Sequence, residues 1–64
     1  MVTYLINGNQ ISEAMAFDRF RRFQVRVRGT PEGVSVIRCI WESCHTNVET
    51  RMRELPDNLE IVVE

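Results

Sequence analysis

Sixty-four residues, 44% of them hydrophobic and 27% charged, are enough for one small folded domain and argue against a disordered chain. No run approaches the ~18 apolar residues of a membrane span, residues 1–6 reach Asn7-Gly8-Asn9 too soon for a secretory leader, and two cysteines are too few for the disulfide framework of a small secreted domain, so a cytoplasmic protein is expected. The net charge of −1 is unevenly divided: in residues 1–31 five arginines face only Glu13 and Asp18, in residues 32–64 three arginines face seven acids, and there is no lysine.

Val2–Ile6 is a short run of β-formers and reads as a strand. Ser12 is a suitable N-cap for a helix running to about Arg21, with Glu13 at the positive end of its dipole and Arg19, Arg21 and Arg22 at the negative end. The rival reading turns a hairpin at Asn7-Gly8 and makes residues 10–17 a second strand. Residues 22–28 then alternate, Phe23, Val25 and Val27 on one side and Arg22, Gln24, Arg26 and Arg28 on the other, as in a half-buried strand.

The five residues 29–33 hold two glycines and a proline, fit for a hairpin connection. Residues 34–41, with apolar residues on both faces and interrupted by Arg38, read as a central strand. Thr46-Asn47-Val48-Glu49 has the form of a capping box, followed by a helix with Val48, Met52 and Leu55 as its buried stripe and Glu49–Arg53 as an outer pair. Pro56 ends that helix, and Leu59–Val63 alternates against Glu60 and Glu64 as a last strand.

The expected fold is therefore α+β, in the order β-α-β-β-α-β of a split βαβ or ferredoxin-like sandwich. The hairpin reading gives instead an antiparallel sheet, ββββαβ in type, carrying one helix. On the first reading the open borders of the sheet are a basic strand, 22–28, and an acidic one, 59–63. Either border is able to add a strand from a partner or from a second copy of the chain, which would form a homodimer through a sheet edge.

Guanidinium groups on one strand face suit carboxylates and phosphates, so Arg22, Arg26 and Arg28, with Arg38 on the neighbouring strand, form the candidate binding surface. Nucleic-acid binding would add stacking rings, for which only Tyr4 or Trp41 would serve, and the pI of 5.8 lies far below the value above ~9 typical of dedicated nucleic-acid domains. Cys39, Cys44 and His45 fall short of the four ligands of a structural zinc site, and Cys44 beside His45 lacks a third orienting group for nucleophilic catalysis. Neither Walker nor dinucleotide spacing occurs, and no cofactor is expected.

A non-enzymatic protein-interaction or regulatory module is the expected function, with nucleic-acid binding through the four arginines as the alternative. Chains of this size without catalytic sets are frequent among accessory proteins of phages and mobile elements, an analogy of size and class that carries over no residue.

Overall fold

A computed structural model describes residues 1–29 and 34–64. Strand β1, Val2–Ile6, is followed by a two-residue turn in which Asn7 (φ 52°) and Gly8 (φ 82°) both take positive φ. Asparagine and glycine tolerate that conformation at least cost, and its twist suits a hairpin, so β2, Asn9–Ile11, returns antiparallel to β1. The hairpin and helix readings of this region are each half right. The second strand stops at Ile11, and the Ser12 hydroxyl accepts from the Met15 amide at 3.2 Å to begin a helix.

That helix, α1, spans Glu13–Arg28, so the expected strand at 22–28 is corrected to helix. Ala16, Phe20 and Gln24 recur every fourth residue, lie on one ridge and are all buried. Phe23 and Val25 flank the ridge half-buried, and Val27 remains 63% exposed. Asp18 reaches Arg21 (2.9 Å) and Arg22 (3.1 Å) across one helical turn, and Gly29 ends the helix at φ 78° with its amide on the Val25 carbonyl.

The predicted hairpin loop falls largely on residues 30–33, outside the described residues. The strand expected over 34–41 is also a helix, α2, Val34–Thr46. Ile37, Trp41 and Cys44 carry it, a buried stripe at i, i+4 and i+7. Helix α3, Val48–Glu54, follows after a single residue. Its cap is Asn47, whose Oδ1 accepts from the Thr50 amide at 3.1 Å, and not Thr46, the last residue of α2. The predicted buried stripe is corrected as well: Val48 is 61% and Met52 80% exposed, and only Leu55 packs against the core. In place of the Glu49 pairing, Arg53 Nε lies 3.5 Å from Glu54 Oε2.

Leu55 leaves helical geometry before Pro56 (ψ 145°), as expected, and β3 is Leu59–Val63 with Leu59 and Ile61 inward and Glu60 outward. The described residues form a small compact α+β structure. An antiparallel sheet of order β2-β1-β3 packs with three helices around Tyr4, Ala16, Phe20, Ile37, Trp41, Cys44, Leu59 and Ile61. The order is β-β-α-α-α-β, which replaces both the split-βαβ arrangement and the one-helix alternative.

Candidate functional site

The helical course of α1 disperses the four arginines expected on one strand face. Arg22 and Arg26, four residues apart, share the exposed side with Arg19, and Arg22 is held by Asp18. Arg28 is turned to the other side of the helix, where its Nε donates to Gln24 Oε1 (2.9 Å) and its Nη2 lies 3.6 Å from Glu54 Oε1. Arg38 belongs to α2 and lays its guanidinium over the Phe17 ring, 4.5 Å from the centroid. Gln24, placed among the arginines by the strand reading, is buried and donates from Nε2 to the Glu54 carbonyl at 2.9 Å. It ties α1 to the end of α3.

A feature no local pattern announces joins residues 41 positions apart. Tyr4 Oη lies 2.8 Å from His45 Nε2, and His45 Nδ1 lies 2.7 Å from the Trp41 carbonyl. A carbonyl only accepts, so Nδ1 carries a proton, and in the neutral imidazole Nε2 accepts from the phenol. Burial, and behind it the charge of Glu13, raises the Tyr4 phenol above its ordinary range. Tyr4 stacks on Trp41 at 5.6 Å, so both rings named as stacking platforms are core residues, 8% and 2% exposed. Beside them opens a cavity of about 490 Å³ whose wall includes Glu13, Arg38 and Glu42.

Cys39 is exposed and Cys44 buried. Burial is the main cause that pushes the Cys44 thiol up to about 11; the Glu54 charge adds to it, and Arg51 opposes it. A thiol so shifted is a weak nucleophile at neutral pH, and both ring nitrogens of His45 are engaged elsewhere. Among the described residues no three His, Cys, Asp or Glu side chains gather closely enough to hold a metal ion.

The remaining candidate is the outer border of β3. Met1 and Glu64 exchange both backbone hydrogen bonds (2.8 and 2.9 Å), and Asn7 donates to Asn58 (3.0 Å). With the register Val2↔Val63 through Ile6↔Leu59, this makes Thr3–Val62 and Leu5–Glu60 the hydrogen-bonded pairs. The amides and carbonyls of Leu59, Ile61 and Val63 therefore face away from β1. The Leu59 amide turns back to the Pro56 carbonyl at 3.1 Å. Among the described residues no strand pairs with the others.

A groove of about 330 Å³ runs along this border, with Met52, Leu55 and Pro56 on one wall and Leu59 and Ile61 on the other. Asp57 and Glu60, both exposed, also line it, and Glu64 is exposed at the end of the strand. Arg51, which also lines the groove, spends its charge on the end of α2: Nε donates to the Cys44 carbonyl at 2.7 Å and Nη2 to the His45 carbonyl at 3.4 Å. The acidic border expected at 59–63 is thus present, whereas the opposite border is the short β2 and not a basic strand.

No protein-family model matches the chain, and no curated protein or solved structure matches it significantly. No helix among the described residues is long and apolar enough to cross a membrane.

Proposed function

We propose that the protein is a non-enzymatic interaction module that docks on another protein through the outer border of β3. The observation that carries this reading is the run of backbone groups at Leu59, Ile61 and Val63 turned away from β1 beside a groove of apolar and acidic side chains. Edge strands with unpaired backbone groups take up extended segments by β-addition, where main-chain hydrogen bonds give affinity and neighbouring pockets give selectivity. The nucleic-acid alternative draws less support. Its two stacking rings are buried, and Arg22, Arg26, Arg28 and Arg38 do not share a face.

Val63→Pro tests the proposal. Val63 is 41% exposed and its amide faces outward, so proline removes a border donor while sparing the bonds to β1. In affinity capture from nuclease-treated cell lysate, a specific partner should be retained by the wild-type protein and lost with the folded V63P variant. Retention of the same partner by V63P, or its disappearance on nuclease treatment alone, would overturn the reading.

A further inference from the structure

The chemistry around the β3 border selects its occupant, an inference that rests on the docking reading above. A strand added there sends alternate side chains to opposite sides of the sheet. One set enters the groove, where Met52, Leu55, Pro56, Leu59 and Ile61 form an apolar strip and Asp57 and Glu60 add acidic groups. The other set lies on the outer face against Glu60 and Glu64, two residues either side of Val62, with Asp57 nearby. The one arginine of the groove wall is committed to the carbonyls of Cys44 and His45. The border therefore combines an apolar strip with acidic groups, Asp57 and Glu60 in the groove lining and Glu64 on the outer face.

The geometry points to an extended segment of a partner protein in which apolar residues alternate with lysine or arginine. The apolar side chains fill the groove, and the basic ones stand opposite Glu60 and Glu64, where directly facing opposite charges stabilise a strand pair and like charges weaken it. A second copy of this chain is a poorer occupant. Pairing two β3 strands would bring Asp57, Glu60 and Glu64 of each copy to one border with no cation of the strand between them.

Three blocked eight-residue peptides test this on the full chain by fluorescence anisotropy: alternating Val-Lys, alternating Val-Glu, and the Val-Lys composition in a non-alternating order. The Val-Lys peptide should bind at least about tenfold tighter than either other peptide. Glu60→Lys should erase or reverse its advantage over Val-Glu, and V63P should weaken it. Equal binding of Val-Lys and Val-Glu that V63P abolishes would overturn the charge selectivity and leave border docking standing. Equal binding of the ordered and disordered Val-Lys peptides would overturn the alternating pattern. Failure of all three to bind, or a β3-mediated dimer of the free protein in sedimentation, would overturn both readings.

Discussion

Trp41→Ala is expected to unfold most of the protein. Trp41 is 2% exposed and lies within 5.6 Å, centroid to centroid, of the rings of Tyr4, Phe17, Phe20 and His45. It therefore joins β1, α1 and α2 at one point, and its carbonyl also receives the His45 Nδ1 proton. Truncating such a side chain costs about 3–5 kcal/mol, through lost transfer energy and the cavity left behind. At about 0.05–0.15 kcal/mol per residue, a chain of this length has a total stability of only about 3–10 kcal/mol. Urea denaturation followed by circular dichroism measures the loss, and a drop below about 1 kcal/mol would contradict the packing described.

Alkaline pH is expected to destabilise the fold through Cys44. Its thiol titrates near 11 when buried in the native state and near its ordinary value of 9.0 when unfolded. A pKa raised by folding means that the native state holds the proton more tightly. The associated stability is complete below the unfolded value and declines as pH climbs from about 9 through 11. Two units correspond to about 2–3 kcal/mol. The Tyr4 phenol, raised in the same direction, adds its loss at the upper end of this window. Stability measured in urea from pH 8 to 11.5 should fall steeply in the wild-type protein and less in Cys44→Ala. Parallel curves for the two proteins would show that another group governs the decline.

The elements whose local chemistry leaves few alternatives were legible in the sequence. Val2–Ile6 and Leu59–Val63 hold the strands expected of them, Ser12 caps a helix, Asn7-Gly8 turns a hairpin, and Leu55 leaves helical geometry before Pro56. The two stretches misread as strands share a cause: between residues 22 and 41 the apolar pattern satisfies two periods at once. Phe23, Val25 and Val27 alternate and favour a strand, yet the ridge Ala16, Phe20 and Gln24 continues through the same stretch at the helical spacing. Gln24 concealed the second period because a glutamine is an unusual core residue, acceptable here only because its amide reaches Glu54 and Arg28. In α2 the two-sided apolar run hid the stripe Ile37–Trp41–Cys44, which passes beyond the presumed strand end at residue 41.

The candidate site was legible in part. An acidic border at residues 59–63 followed from the alternation of Glu60 and Glu64 with apolar residues. Which backbone groups face outward depends on the pairing of Met1 with Glu64, residues at opposite ends of the chain, and that lies beyond any local pattern. The groove beside the border likewise depends on α3, whose Met52 was expected inside and stands 80% exposed.

Amide hydrogen exchange along β3 shows which of its backbone groups are free to take up a partner strand. In the free protein the Glu60 and Val62 amides, bonded to β1, should be protected, and the Ile61 and Val63 amides should exchange far faster. Adding the alternating Val-Lys peptide should slow Ile61 and Val63 while leaving the other two unchanged. Protection of Ile61 and Val63 equal to that of Glu60 and Val62 before any peptide is added would mean the border is already paired, and the account of this protein as a strand-accepting module would fall.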